Sequence, residues 1–154
     1  MRKLNPEYVS KISKTTCDCP YFRLLNMRLI HFDTGTSKVE IELDPTKHLQ
    51  PFGQVHGGVY SSIIDAAAFW AVYGQVDEGM GMTSVDLKLN FLSSTSGAKL
   101  IAHGKKIKLG RTLGYGQVEV TDETGKILAH GTSTLMVIAN LPFQFSAELP
   151  AKFL

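Results

Sequence analysis

Asp65 stands in an apolar run, between Ile63-Ile64 and Ala66-Ala67-Ala68, where an unpaired charge is expensive to bury. Spacing alone leaves two readings. Either Asp65 shares one polar stripe of a helix with Ser61 and Ser62 and faces solvent, or it is a carboxylate kept for chemistry. Just upstream, Gln50-Pro51-Phe52-Gly53-Gln54-Val55-His56-Gly57-Gly58 brings two glycines to the start of the same helix. Glycine lets a ligand approach the backbone, and a helix N-terminus offers free N–H groups at the positive end of its dipole. That arrangement can hold an oxyanion. Asp65 follows Gly57 by about two turns at 3.6 residues per turn, so a carbonyl polarised at the helix tip comes within reach of the carboxylate or of a water it holds. Taken alone, His-Gly-Gly reads equally as tight helix–sheet packing, with His56 an ordinary loop residue.

The elements that must position these residues follow from periodicity. Asn5-Pro6-Glu7 supplies a cap, a proline at the first helical position and an acid in the first turn, opening a helix to about Thr16. Val39, Ile41 and Leu43 alternate with charged residues as a half-buried strand does, and Met27 to Phe32 is its hairpin partner across Thr34-Gly35. A loop spans Pro45 to Val55. From Gly58 to about Val76 the chain is apolar almost all round, which predicts a buried helix, with Phe69, Trp70 and Tyr73 as core aromatics. Strands follow at Val85–Phe91, Lys99–Leu109, Leu113–Thr121 and Ile127–Ile138, the last two joined by Asp122-Glu123-Thr124-Gly125. A helix apolar on nearly every side would stand exposed on a flat sheet. The expected fold class is therefore α+β, a curved antiparallel sheet wrapped around one long central helix.

Composition narrows the function. A chain of 154 residues, 44% apolar and 19% charged, predicts one domain over residues 1–154, with a helical lead-in (1–21) and an irregular tail (139–154). The formal charge of +2 is too weak to call for nucleic acid or an anionic membrane. The most apolar run, Ile63 to Tyr73, is cut by Asp65 and is far shorter than the ~20 residues a membrane-spanning helix needs. The N-terminus has no apolar segment behind its basic start, so a cytoplasmic protein is expected. Cys17 and Cys19 are one residue apart, with no matching pair at zinc-site spacing, and read as reduced thiols with no metal role. Lys105, Lys106, Lys108 and Arg111 form the one concentrated basic patch, readable as a phosphate contact or as a solvated hairpin.

As an ordered set, QPFGQVHGG, the helix carrying Asp65, the strand TSVDLKLNF and the later KLGRTL resemble the PaaI-like branch of the hotdog-fold acyl-CoA thioesterases, within the 4-hydroxybenzoyl-CoA thioesterase superfamily. The resemblance spans roughly residues 22 to 138. The hotdog fold is a curved antiparallel sheet around one long helix, in agreement with the architecture reached above. The resemblance implies that Asp65 is the general base or nucleophile and that the Gly57 N–H holds the thioester oxygen. His56 would brace the loop or touch the carbonyl, and Gln50 would position the water or the thioester. Ser84, or Thr83 if the register slips by one, would come from the neighbouring subunit. The turn Gly110-Arg111-Thr112, with Lys108, would face the nucleotide end of coenzyme A. It also implies a homo-oligomer, a dimer or a dimer-of-dimers tetramer, and no cofactor, coenzyme A being part of the substrate.

The implied reaction is hydrolysis of an aryl- or medium-chain acyl-CoA to a free acid and coenzyme A. Two alternatives stay open. A hydratase or dehydratase of acyl thioesters would pair the acid with a catalytic histidine, for which His56 is the near candidate. A non-catalytic acyl-CoA-binding protein would need the pocket and the phosphate patch but leaves Asp65 unexplained. Neither G-x-S-x-G, a phosphate-binding P-loop nor a zinc-type HExxH is present.

Overall fold

Asn5 accepts a hydrogen bond from the Glu7 N–H at 3.0 Å, and α1 (Pro6–Asp18) starts there in the computed structural model of the chain, which describes residues 2–144 and 148–154. Its buried face is Tyr8, Ile12 and Thr16, one residue per turn. Pro20 ends the run and opens the short α2 (Pro20–Leu24). The strands β1 (Met27–Asp33) and β2 (Thr36–Glu42) form the expected hairpin, with Gly35 at the positive φ the turn requires. The loop before the central helix contains one turn, α3 (Pro45–His48), capped by Asp44. The central helix, α4 (Gly57–Tyr73), is followed by β3 (Met80–Phe91), β4 (Lys99–Leu109), β5 (Leu113–Thr121) and β6 (Ile127–Ala139).

All strand pairs are antiparallel and the sheet order is β1-β2-β4-β5-β6-β3. α4 touches all six strands. At ~4.8 Å between strands the sheet is ~24 Å across, about twice the width of a helix, so it must curl to reach α4 along both edges. Ile63, Ile64, Ala67, Ala68, Ala71 and Val72 of α4 are fully buried. The alanines meet glycines: a Cβ at Gly104 would lie 2.3 Å from the Ala67 carbonyl oxygen, and one at Gly116 would lie 3.2 Å from that of Ala68. Small residues on both sides let the helix backbone approach the sheet.

Several boundaries differ from the sequence reading: α1 runs on to Asp18, the helical lead-in reaches Leu24, and the end of α4 and the start of β3 also move. α4 stops at Tyr73 rather than near Val76, because Gly74 packs on the Asp33 carbonyl of the β1–β2 turn and the Lys152 amine takes the carbonyls of Tyr73 (2.8 Å) and Val76 (2.7 Å). β3 begins five residues before Val85, since Met80 to Ser84 pair with β6 without alternating in polarity. The tail includes residues 145–147, which lie outside the described residues. Beyond them it returns to the N-terminus, where Phe153 bridges Leu4 and the Asn5 N–H donates to the Lys152 carbonyl (2.9 Å). Among the described residues no helix is long and apolar enough to cross a membrane.

Candidate functional site

The tip of α4 is held by a loop that bonds mainly to itself. The Gln50 N–H donates to the Gln54 carbonyl (2.8 Å) and the Gly53 N–H to the Gln50 carbonyl (2.9 Å), while the Gln50 side-chain oxygen accepts from the Phe52 N–H. His48, which the sequence reading did not single out, anchors this loop. It is fully buried, its Nδ1 accepts from the Asp44 N–H (2.9 Å) and its Nε2 donates to the Leu25 carbonyl (3.0 Å). Burial holds its pKa below the usual histidine value, so the ring stays neutral. Its carbonyl takes the His56 N–H at 2.8 Å, which sets the start of α4.

His56 is the N-cap of α4, its Nδ1 accepting from the Gly58 N–H at 2.8 Å. The His56 carbonyl takes the Val59 N–H at 3.0 Å. The Gly57 N–H has no hydrogen-bond partner among the described residues, so the cap satisfies its neighbours and leaves this donor available. The Phe91 ring lies over Gly57, 2.9 Å from where a Cβ would be, and packs edge-on to Tyr60. Gly57, Gln50, Tyr60 and Phe91 line one cavity of about 420 Å³.

Asp65 is half-buried two turns further along α4, and its Oδ1 accepts a hydrogen bond from the Ser84 hydroxyl at 2.5 Å. Ser61 and Ser62, which share its face, turn their hydroxyls back to the carbonyls of Gly57 (3.0 Å) and Gly58 (2.9 Å). Asp65 opens into a second cavity, of about 520 Å³, which contains neither Gly57 nor Gln50. The sequence reading brings a carbonyl held at the α4 tip within reach of Asp65, whereas within one chain the Gly57 donor and the carboxylate face different cavities, and the Ser84 hydroxyl meets the Asp65 of its own chain. The physical reason is topological: β3 runs antiparallel alongside α4 and bulges between Ser84 and Asp86, which aims Ser84 at the middle of the helix. Phe69 and Trp70, read as core aromatics, also line the Asp65 cavity, although Trp70 is almost fully buried.

The turn Gly110-Arg111-Thr112 and Lys108 are exposed and line neither cavity. A bulge between Lys106 and Lys108 divides the basic patch, and Lys106 turns to the Gln75 side-chain oxygen (2.5 Å). The turn sits at the same end of the sheet as Ser84, two strands away, because Ser84 pairs with Leu135 and Leu135 with Gly114. Cys17 and Cys19 are free thiols, and among the described residues no three His, Cys, Asp or Glu side chains converge as metal ligands would.

A family model described as the thioesterase superfamily matches residues 52–129, half of the chain, including the α4 tip, Asp65 and Ser84. A 1,4-dihydroxy-2-naphthoyl-CoA hydrolase of Listeria monocytogenes is 25% identical over 113 residues, covering 73% of this chain and 91% of that protein. The mouse protein acyl-coenzyme A thioesterase 13 is 28% identical over 90 residues, covering 57% of this chain and 64% of its own length. The crystal structure of a Haemophilus influenzae thioesterase superposes with a TM-score of 0.81 at 23% identity, over 94% of this chain and 99% of that one, and carries the same curved sheet around a long helix.

Proposed function

The chain belongs to the thioesterase superfamily and has the hotdog fold, and from that premise we propose that it hydrolyses an acyl-CoA thioester to a free acid and coenzyme A. The observation that carries the proposal is the pairing of a half-buried Asp65 carboxylate with Ser84 at the mouth of an apolar cavity. A thioester carbonyl is already electrophilic, so the protein has two tasks. One is to stabilise charge on the oxygen, where a single fixed donor is typically worth ~10² to 10³ in rate. The available Gly57 N–H at the positive end of α4 suits that task. The other is to activate water, worth a further ~10² to 10⁴. Asp65 takes a proton from the water as its oxygen bonds to the carbonyl carbon. The C–S bond then breaks, and the proton leaves with the coenzyme A sulfur. As nucleophile, Asp65 instead bonds to the carbonyl carbon and expels the coenzyme A thiolate, and water then cleaves the mixed anhydride, freeing the carboxylate and supplying the proton the thiolate takes up.

Because Gly57 and Asp65 open into different cavities, the reading assigns them to two copies of the chain, with Gly57 and Gln50 of one facing Asp65 and Ser84 of the other. An oligomer, a dimer or a dimer of dimers, is therefore part of the proposal. Arg111, Thr112, Gly110 and Lys108 are assigned to the phosphates of coenzyme A on the strength of their charge and exposure. The free thiols fit a reducing compartment, the cytoplasm.

Free-thiol release from a panel of acyl-CoAs tests the proposal. Asp65→Asn is expected to lower kcat by ~10² to 10⁴ while acyl-CoA binding persists. Full activity in that variant removes Asp65 from the reaction. A wild-type chain that binds but hydrolyses no acyl-CoA is a binding module.

A further inference from the structure

The cavity beside Asp65 has two walls of different origin. One is the open strip of α4, where the lining changes along the axis from Ser61 and Ser62, past Asp65 and Ala66, to Phe69 and Trp70. The other comes from the lead-in helices, through Thr16, Cys19, Tyr21 and Phe22, with Phe143 from beyond β6. The first wall lies within residues 52–129, the span the family model matches, and the second lies wholly outside that span. The α4 wall with Asp65 thus lies inside the matched span, whereas half of the residues lining the cleft lie outside it.

We infer that this cleft receives the acyl group of the thioester, and that Phe22 and Cys19 of the lead-in set which acyl group fits. The inference rests on the thioesterase reading of Asp65. A carbonyl at Asp65 points its acyl chain along α4, and Phe69 begins ~6 Å further on at 1.5 Å per residue. The volume of about 520 Å³ lies within the ~300 to 1,000 Å³ of ordinary ligand pockets. Asp65 is the sole charged lining residue among those described, and no lysine, arginine or histidine faces the space. The cleft therefore suits an uncharged apolar acyl group and not a dicarboxylic one or the phosphates of coenzyme A. Its far wall is stiff, since Trp70 stacks on Phe143 (interplanar angle 7°) and Phe69 on Tyr73 (10°). Its near wall is pinned: Ser62 gives its proton to Gly58, so the Tyr21 hydroxyl donates to Ser62 across the cleft at 2.7 Å.

Two opposed substitutions in the full chain test this. Phe22→Ala, which enlarges the cleft, is expected to raise the ratio of kcat/KM for decanoyl-CoA over butyryl-CoA by ~10-fold or more, and Cys19→Phe, which fills it, to lower that ratio by a similar factor. A second readout needs no turnover. Trp70 is the one tryptophan of the chain, so its emission reports on the cleft, and decanoate is expected to shift it saturably in the wild type and more weakly in Cys19→Phe. A ratio unmoved by either substitution overturns the inference, and so does the absence of an emission change with decanoate. An emission that follows protein concentration but not decanoate means that a second copy fills the cleft, which also overturns it. Saturable decanoate binding without hydrolysis of any acyl-CoA leaves the cleft standing and removes the enzyme.

Discussion

At the scale of single residues, the Asp65 carboxylate and the Ser84 hydroxyl form one unit. A hydroxyl donating to an ionised carboxylate is a charge-assisted hydrogen bond, and its distance of 2.5 Å fixes one oxygen of Asp65 while leaving the other to meet a water. On the proposed reading Ser84 is therefore a positioning residue. Hydrogen bonds to charged groups are typically worth ~1.5 to 3 kcal/mol, so Ser84→Ala is expected to lower kcat by ~10- to 100-fold with KM little changed, and Ser84→Thr to restore most of the loss. A stopped assay that finds Ser84→Thr as impaired as Ser84→Ala would deny the hydroxyl this role. His56 is the counter-example. Its motif position invites a catalytic assignment, yet its ring caps α4, and on the proposed reading it acts only by leaving the Gly57 N–H beside it available.

At the scale of elements, both ends of α4 are set by buried side chains that titrate. Lys152 is almost fully buried, its amine held by two carbonyls and lying over the Tyr73 ring, and burial lowers its pKa from 10.5 to about 7. Below pH 7 the amine is charged in folded and unfolded chains alike, and the cost of burying that charge is fully present. Between about 7 and 10.5 the folded chain holds a neutral amine while the unfolded chain keeps its proton, so stability rises with pH across that window. His48 acts with the same sign lower down: its folded pKa lies below 6.5, and stability is lost as pH falls through 6.5 because the unfolded chain binds the proton first. Urea midpoints are thus expected to climb from acid to alkaline pH, with Lys152→Met flattening the rise above about pH 7 and leaving the acid side in place. An unchanged alkaline slope in that variant would show that the clasp at the end of α4 does not titrate.

At the scale of the whole molecule, the open feature is β3. It is one of the two edge strands of the sheet, twelve residues long, and although Val85, Leu87, Leu89 and Phe91 alternate as a buried strand should, Val85 and Phe91 are 52% and 60% exposed. A long edge with an uncovered apolar face favours pairing with another chain. A native mass of two or four chains, rather than 16.9 kDa, is expected, and Val85→Lys on this edge should lower both the mass and the thiol-release rate together. A fully active monomer would sink the two-chain site. Periodicity and local spacing are enough to read the central helix, its glycine tip, the carboxylate two turns on, the hairpins and most of each strand from the residues alone. Folding in three dimensions is what brings Ser84 to Asp65, turns Gly57 to another cavity, sets the lead-in as a wall of the cleft and closes α4 with Lys152. Each joins positions far apart in the chain, and no local pattern encodes which distant side chain the folded sheet will bring alongside.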